Sequence, residues 1–333
     1  MYKREFLAST LERTGIGSMI SNTVGRWNGL LVFNYHRVGD GSTSLFDRAI
    51  YSASQEEFDR QVSFLKKGFD IVRVDDLDDV MRHRQRAVMI TFDDGYRDNY
   101  EFAFPILKQH SAPATFFLTS GFLDAGTIAW WDEIAWMVRS ATAKWLYPSR
   151  LVPELIPLSS SMEREEAICR LLSIYKTLST DQSETFLNAL AHHTGSGRAS
   201  QDLARDQWMS WEMIREMDQS GMDIGGHTIS HPVLSQSSTE EQREEIFGSK
   251  SRIESMLGHP ITAFSYPVGQ PDSFTEQTQQ LLHEAGYRWA FSFSGGFALP
   301  GKVDQLNVPR VAVAPHISQE LFQSTAKLPW LFA

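Results

Sequence analysis

The chain has 333 residues, of which 42% are hydrophobic and 22% charged, a globular composition with enough apolar material for a large core. Its formal net charge of −10 argues against a nucleic-acid partner, because phosphate binding requires basic patches. The single cysteine, Cys169, excludes an intramolecular disulfide and a cysteine-rich metal site. Because it lies in a helical pattern, Glu165–Tyr175, we expect it to be a small buried residue.

The N-terminal region, residues 1–29, predicts a helical segment with an amphipathic helix from Lys3 to Ile20. We expect this helix to pack on the protein, and contact with a membrane or a partner is the alternative. No segment reaches the roughly 18 apolar residues that a membrane span requires. The N-terminus also lacks the apolar run of a signal peptide, which predicts a cytoplasmic location.

Short apolar runs recur along the rest of the chain, and helical patterns separate them. Continuous apolar runs of this length are typical of strands buried on both faces of a parallel sheet. Their alternation with helices predicts an α/β fold, either a (β/α) barrel or an open doubly wound sheet. The predicted strands are Leu30–Tyr35, Ile71–Val74, Ala87–Phe92, Ala114–Leu118, Met222–Gly225, Ala263–Tyr266, Trp289–Phe293 and Val308–Val313.

Capping residues predict where several helices begin. Ser54 with Glu57, and Ser238 with Glu241, have the spacing of a capping box, in which each side chain bonds to the other residue's backbone N–H. A third helix is expected to begin near Ser273.

The alternation stops between residues 121 and 205, where no strand is predicted. We interpret 121–205 as a helical insertion between two parts of a barrel, 30–120 and 206–320. Four tryptophans lie early in it: Trp130, Trp131, Trp136 and Trp145. We expect Trp130 and Trp131 to contact substrate, because the acids Asp132 and Glu133 that follow them indicate a surface. Trp136 is expected to face the core, and packing of all four against the barrel is the alternative.

The strand Ala87–Phe92 is followed by two adjacent carboxylates and a glycine, Asp93, Asp94 and Gly95. Adjacent side chains at a strand end point in different directions, so one carboxylate can face a metal while the other faces a substrate. Parallel α/β folds place their sites at the carboxyl ends of strands. A polar turn is the alternative, since Asp-Gly is a common turn pair.

Two histidines, His227 and His231, follow the predicted strand Met222–Gly225. Their spacing suits a tight loop or one helical turn that presents both imidazoles to one ion, and Pro232 argues against a longer helix. Two histidines and one carboxylate form a ligand set for a divalent metal with positions left for water or substrate. The alternative is two unrelated loop histidines.

A third strand, Ala263–Tyr266, ends at Pro267 and Gly269. Backbone N–H groups exposed in such a turn would suit the stabilisation of an oxyanion. An ordinary strand-ending turn is the alternative.

Together these segments resemble the polysaccharide deacetylase family, also called the NodB-homology family or carbohydrate esterase family 4. The resemblance covers most of residues 30–313. Thr91–Gly95 is similar to the family's T-F-D-D-G motif, and His227–His231 is similar to its H-[ST]-x-x-H motif. The resemblance implies a distorted (β/α) barrel of about seven strands. It also implies a hydrolase that removes acetyl groups from the N-acetylated sugars of a polysaccharide or its precursor.

The resemblance further implies a role for each motif residue. Asp93 would be the catalytic base, and Asp94, His227 and His231 would bind a divalent metal, for which Zn²⁺ is the expected ion. The backbone N–H of Val268 would stabilise the oxyanion.

Two departures from the family pattern require substitutes elsewhere in the chain. The third motif usually reads R-x-P, and here Ser265 stands in place of the arginine that orients the base. We expect Arg310, on the last strand, to replace it, and Arg37 and Arg97 are the alternatives.

The family's late motif with the general-acid histidine is also not evident. His36 follows the first strand, in a short sequence similar to the one with which deacetylases of exopolysaccharide clusters begin. We expect His36 to be the acid, and His316 is the alternative.

Other functions are compatible with the same residues. The protein could be an esterase that removes O-acetyl groups, or an enzyme for a lipid-linked or small sugar. It could also be an inactive sugar-binding member of the fold. Asp93 favours an enzyme, because a binding protein has no need of a base beside its metal ligand.

Overall fold

The computed structural model describes residues 2–15, 17, 27–83, 85–150, 152–315 and 317–333. Its strands are β1 (Gly29–Tyr35), β2 (Arg37–Val38), β3 (Tyr51–Ala53), β4 (Asp70–Ile71), β5 (Arg86–Phe92), β6 (Thr115–Leu118), β7 (Trp145–Leu146), β8 (Ile156–Pro157), β9 (Asp223–Gly226), β10 (Ala263–Ser265), β11 (Trp289–Ser292) and β12 (Val308–Ala312). Seven of them form a closed parallel barrel in the order β1-β12-β11-β10-β9-β6-β5, and β5 pairs back to β1. The predicted barrel is therefore confirmed, and the open sheet is wrong.

Helices surround the barrel. They are α1 (Tyr2–Arg13), α2 (Gln55–Gly68), α3 (Leu77–His83), α4 (Phe104–His110), α5 (Ser120–Ala125), α6 (Trp130–Arg139), α7 (Ser161–Tyr175), α8 (Thr180–Thr194), α9 (Gln201–Ala204), α10 (Trp211–Gln219), α11 (Thr239–Leu257), α12 (Glu276–Glu284), α13 (Gln319–Lys327) and α14 (Pro329–Phe332). Both predicted capping boxes are present, at Ser54 and Ser238. Among the described residues, no helix combines the length and apolar character that crossing a membrane requires.

The barrel interior changes from apolar to polar along the strands. In β1, Leu30 and Val32 lie in a buried apolar cluster that also contains Met89 and Phe117. Two residues further along, Asn34 points to the same side of the strand and bonds to polar side chains instead. The polar residues therefore lie at the carboxyl ends of the strands, where the loops leave the barrel.

Several predicted elements differ from the structure. The strand predicted for Ile71–Val74 is only Asp70–Ile71, because a 3₁₀ turn over Val74–Asp76 ends it. The helix predicted near Ser273 begins at Glu276, because Thr275 accepts the N-terminal hydrogen bond while Ser273 donates to the Gln270 carbonyl in the turn before it.

Cys169 is exposed, so the prediction that it is buried was wrong. Helix α7 turns Ala167, Ile168 and Leu171 toward the protein, and Cys169 lies on its outer face. A short helical window of mixed polarity did not identify which face packs.

Residues 121–205 contain helices α6 to α9 and, where no strand was predicted, a short antiparallel pair, β7 with β8. Helices α6 to α8 and this pair share a buried cluster of their own, separate from the main core beneath the barrel helices. Its members include Ile134, Val138, Leu171, Phe186 and Leu190. This second core holds the N-terminus of α6 and the C-terminus of α7 beside the open end of the barrel.

Helix α1 packs on the C-terminal helices. Ala8 is fully buried in a cluster with Leu321, Leu328 and Phe332, and Lys327 pairs with Glu12 at 2.6 Å. The helix was predicted to continue to Ile20, but it ends at Arg13. Residues 16 and 18–26 lie outside the described part of the chain.

The close approach of the barrel strands predicts an effect of enlarging Gly225 in β9. A Cβ at this position would lie 2.5 Å from the Phe117 ring and 2.8 Å from the Ala263 carbonyl oxygen. Because neither group can move away freely, Gly225→Ala should lower the free energy of unfolding by about 1–3 kcal/mol. Urea denaturation measures this. Gly68→Ala, where a Cβ meets nothing within 4 Å, is the matched control and should change stability by less than about 1 kcal/mol. Equal effects of the two variants would contradict the packing argument.

Candidate active site

The loops after β1, β5, β9, β10 and β12 surround a cleft of about 540 Å³ at the carboxyl end of the barrel. The predicted site residues Asp93, Asp94, His227, His231, Val268, His36 and Arg310 all line it. The insertion closes one side with α6 and α7, and the two termini lie on another side. Residues far apart in sequence thus meet at one position because parallel strands end at the same edge.

The backbone in these loops is strained. Among the described residues, five other than glycine have a positive φ, and four of them lie here: Asp94 (76°), Thr228 (67°), His231 (58°) and Val268 (63°). Side chains other than glycine rarely adopt this conformation, and it persists only where the surrounding structure enforces it. Such strain is concentrated at functional sites, so its location marks these three loops independently of the side-chain chemistry.

Asp94, His227 and His231 form a compact buried group. The Oδ1 atom of Asp94 lies 3.5 Å from Nε2 of His227 and 3.6 Å from Nε2 of His231. One potential ligand atom from each of the three residues lies within 4.8 Å of those of the other two. A single cation could contact one atom of each residue.

The hydrogen bonds around this group fit a cation. The Nδ1 of His227 lies 2.7 Å from the Ser265 carbonyl oxygen, which requires a proton on Nδ1 and leaves Nε2 facing Asp94, where it can act as a metal ligand. The buried Oδ1 of Asp94 has no hydrogen-bond partner among the described residues. A buried carboxylate oxygen that faces two imidazole nitrogens needs positive charge between them, which a proton or a metal ion can supply. The donor set, two imidazoles and one carboxylate, suits Zn²⁺ or a similar divalent metal.

The charges of the cluster act on the two imidazoles in opposite directions. Burial lowers the pKa of His231 to about 3, and the neighbouring His227 contributes to that shift. Burial also acts to lower the pKa of His227, but the Asp93 and Asp94 carboxylates outweigh it and raise that pKa. His231 is therefore neutral and can offer a lone pair, while positive charge is favoured at His227 by the two carboxylates.

Helix α11 holds the histidine loop in place. Glu245 accepts hydrogen bonds from the backbone N–H groups of Ile229 and Ser230, at 2.6 and 2.9 Å. Inside the loop, the Thr228 hydroxyl accepts the His231 N–H at 3.0 Å. These bonds maintain the left-handed conformations that turn both imidazoles toward Asp94.

Asp93 is paired with Arg310 across the barrel interior. The two guanidinium Nη atoms donate to the two carboxylate oxygens at 2.8 and 2.9 Å, and both side chains are at most 1% exposed. Burial acts to raise the pKa of Asp93, but the Arg310 charge and hydrogen bonds outweigh it and hold that pKa well below the usual range. Asp93 is consequently ionised at neutral pH.

Ser265 belongs to the same network. Its hydroxyl accepts a hydrogen bond from Arg310 at 2.8 Å and lies 3.2 Å from Oδ2 of Asp93, while Asn34 lies 3.3 Å from the same oxygen. The position that carries arginine in the family motif thus holds a small hydroxyl, and an arginine from β12 fills the space. The alternatives, Arg37 and Arg97, lie elsewhere: Arg37 pairs with Asp98 and Arg97 with Glu101.

The other two predicted catalytic residues also line the cleft. His36 is half-buried, and its ring stacks at 6.3 Å from the ring of Phe293. Val268 is half-buried in the strained loop after β10, and no described group accepts its backbone N–H. The alternative acid, His316, lies outside the described residues.

Trp130 and Trp131 line the cleft, as the sequence predicted, but not because a surface follows them. Trp131 contacts the His231 ring edge to face at 4.5 Å, and Trp130 donates from Nε1 to the His231 carbonyl at 3.1 Å. Asp132 and Glu133 do not mark a surface, because they are 0% and 3% exposed. Trp136 and Trp145 do not line the cleft; they are half-buried and exposed, respectively.

Asp132 anchors a network that the sequence did not reveal. Its carboxylate accepts hydrogen bonds from the Tyr96 hydroxyl at 2.8 Å and from the Asp47 backbone N–H at 2.9 Å. Trp131 donates to the same Tyr96 hydroxyl at 2.7 Å. Burial raises the pKa of Asp132 to about 7. A charged residue next to a tryptophan pair gave no sign of these distant partners.

The chain belongs to the polysaccharide deacetylase family, which it matches over residues 81–143 and 173–290. It is 23% identical to YxkH of Bacillus subtilis over 238 residues. That match covers 72% of this chain and 55% of YxkH. It is 32% identical to the poly-beta-1,6-N-acetyl-D-glucosamine N-deacetylase of Staphylococcus aureus over 109 residues. That match covers 28% of this chain and 37% of that enzyme. The matches thus span about half or less of the length of these two relatives.

Two solved structures have a similar fold. The deacetylase PplD of Streptococcus pyogenes in complex with acetate has a TM-score of 0.58 and 18% identity, over 89% of this chain and 97% of that one. IcaB from Ammonifex degensii has a TM-score of 0.55 and 22% identity, over 92% of this chain and 98% of that one. At these identities the likeness establishes the fold.

The buried pair of Asp93 and Arg310 predicts a pH-dependent loss of stability in Arg310→Met. This change leaves a buried carboxylate without its partner, which costs about 3–5 kcal/mol at neutral pH. Burial then raises the pKa of Asp93, so that acid protonates and neutralises the carboxyl. The difference in the free energy of unfolding between the variant and the parent should therefore narrow as pH falls. Urea denaturation at neutral and mildly acidic pH measures both values.

The matched control is Arg252→Met, because Arg252 pairs with Asp124 on the surface, with side-chain exposures of 41% and 36%. It should cost less than about 1 kcal/mol. A stability difference for Arg310→Met that is small, or that does not depend on pH, would rule out the buried ion pair as a major contribution.

Proposed function

We propose that this protein is a metal-dependent hydrolase that removes acetyl groups from the N-acetylated sugars of a polysaccharide or its precursor. One observation carries the proposal: Asp94, His227 and His231 converge on one point, and the ionised Asp93 lies beside them in the same cleft. The Oδ2 of Asp93 is 4.0 Å from Nε2 of His227. A cation-binding group directly next to a fixed carboxylate is the arrangement that hydrolysis of an amide by water requires.

The metal proposed for this site is Zn²⁺, held by one oxygen of Asp94 and the Nε2 atoms of His227 and His231. When bound, such an ion supplies Lewis-acid polarisation of the acetamide carbonyl and lowers the pKa of water. The Ser265 carbonyl orients His227, and Glu245 fixes the loop that carries His231. The protein thereby keeps the ligand atoms in place without the ion.

Asp93 is the proposed base. It accepts the proton of the attacking water, which an ionised carboxylate can do and a protonated one cannot. Arg310, Ser265 and Asn34 hold it from the barrel interior. Their role is to keep the carboxylate charged and oriented, so they are positioning residues.

His36 and Val268 would complete the reaction. The Val268 N–H is free to donate to the oxyanion that forms when the carbonyl carbon becomes tetrahedral. His36 would protonate the departing amine of the sugar, because amide nitrogen leaves as a neutral amine only after it gains a proton. Acetate and a free amino sugar are the products.

The proposed substrate is a polymer of β-1,6-linked N-acetylglucosamine or its precursor. The support is the Staphylococcus aureus enzyme, whose name specifies this polymer and which shares 32% identity over 109 residues with this chain. The cleft is open and lined partly by aromatic side chains, which stack well on sugar rings.

The convergence of three ligand atoms predicts that His227→Ala binds little metal. Two remaining ligands hold a divalent ion much more weakly than three, so most of the ion should be lost on dialysis. Elemental analysis of the purified protein measures the ion content. His36→Ala is the control, since His36 is outside the proposed ligand set and its substitution should leave the content unchanged. A His227→Ala protein that retains one ion per chain would show that the ligand assignment is wrong.

The role of Asp93 predicts that Asp93→Asn still folds and binds the metal, with lower stability because Arg310 loses its buried partner. Its activity should fall on the order of 10²-fold or more, since an amide cannot accept the proton. Acetate release from N-acetylglucosamine oligomers, with and without a chelator, measures the activity of the parent and the variant. The control is Asp181→Asn, because Asp181 is exposed. Asp98 is not used because it forms a buried ion pair of its own. Near-normal turnover by Asp93→Asn with metal bound would exclude this role.

A further inference from the structure

Two charged side chains on the insertion side of the cleft have no part in the proposed reaction. Asp47 comes from the loop between β2 and β3, and Lys176 follows α7 of the insertion. Both line the cleft wall on the side of the insertion, together with Ile50, Leu172 and Trp130. Ionised groups in a cleft that the reaction does not use need another explanation.

Asp47 is held rigidly with one side toward the cleft. It is 6% exposed, its Oδ1 accepts the Ala49 N–H at 2.9 Å, and its own N–H donates to the buried Asp132 at 2.9 Å. Burial raises the pKa of its carboxyl, while the Ala49 hydrogen bond and the charges of Arg139 and Lys176 act to lower it. No described side chain donates a hydrogen bond to its Oδ2 or forms an ion pair with it. The carboxylate therefore retains an unused acceptor at the cleft wall.

Lys176 supplies the opposite charge and an unused donor. Its side chain is exposed, and no described group accepts a hydrogen bond from its ammonium or forms an ion pair with it. Desolvation by the cleft wall lowers its pKa, and the Asp47 carboxylate opposes this shift. The two groups thus act on each other through space without closing into a direct pair.

The surroundings of the two charges are apolar. Ile50 and Leu172 are half-buried, and Trp130 is 8% exposed. A sugar ring presents apolar C–H faces and a rim of hydroxyl groups that both donate and accept hydrogen bonds. Apolar walls with one fixed acceptor and one mobile donor match that combination.

The balance of charge selects among sugars. A lone carboxylate would favour a cationic amino sugar, and a lone ammonium would favour an acidic sugar. Because Asp47 and Lys176 oppose each other, the wall has no net charge and suits a neutral sugar with hydroxyl groups. Repulsion between like charges at short range is large enough to set such a preference.

We propose that Asp47 and Lys176 form a subsite that binds a neutral sugar unit next to the one being deacetylated. This inference rests on the proposed function, because it assigns the neighbouring unit of the same polymer. It predicts that the enzyme acts on a unit with an N-acetylated neighbour at least as well as on one whose neighbour is already a free, cationic amine.

The test compares two trisaccharides, one with N-acetylglucosamine and one with glucosamine beside the acetylated target unit, below the pKa of the sugar amine. The ratio of the two kcat/KM values is the measured quantity. Asp47→Asn leaves Lys176 unopposed and should shift the ratio about 3- to 10-fold toward the neutral neighbour. Lys176→Met leaves Asp47 unopposed and should shift it by a similar factor toward the cationic neighbour.

Opposite shifts are expected only if both groups face the neighbouring sugar, since a merely structural role would lower both rates without changing the ratio. Lys144→Met, an exposed lysine of the insertion outside the cleft, is the matched control and should leave the ratio unchanged. Because Lys176 is exposed, its variant stays informative even if Asp47→Asn folds poorly. If acetate is released but the ratio stays constant in Lys176→Met, the subsite is wrong and the proposed function stands. If the metal-loaded parent releases no acetate from either trisaccharide, the proposed function is wrong and the subsite falls with it.

Discussion

Two adjacent carboxylates buried at the mouth of a barrel require positive charge within a few ångströms. Asp93 and Asp94 are each 1% exposed, and at such burial an uncompensated carboxylate takes up a proton instead of staying ionised. The protein meets this requirement differently for each of them. Arg310 neutralises Asp93 from within the barrel, while Asp94 faces two imidazoles and leaves one oxygen unpartnered.

This division of charge explains why the local backbone is unusual. Asp94 follows Asp93 directly, and its left-handed conformation turns its side chain away from Arg310 and toward the histidine loop. The same conformation at Thr228 and His231 brings both imidazoles to meet it. Each such residue costs on the order of 1 kcal/mol or more, so the strain is stored where the chemistry needs side chains aimed at one point.

The sequence predicted the parts of this arrangement that depend on short-range patterns. Strand ends and the spacing of His227 and His231 are local features, so the barrel and the convergence of the cluster followed from them. The replacement arginine gave no local signal; Arg310 was one of three candidates, and only the closed barrel places it opposite Ser265. Asp47 and Asp132 were missed or misread, because burial of a carboxylate depends on partners elsewhere in the chain, such as Tyr96. Cys169 was misplaced because a mixed helical pattern does not identify the packed face.

Closure of the barrel between its first and last strands has a consequence for how the molecule assembles. Val32 pairs with Arg310, so a contact between nearly opposite ends of the chain completes the ring. Contacts of such long range form late, because bringing distant segments together is slow and entropically costly. Until β12 docks, the carboxylate of Asp93 has no guanidinium beside it. The charge environment of the cleft therefore depends on a contact between the two ends of the barrel sequence as well as on the loops that carry Asp93 and Asp94.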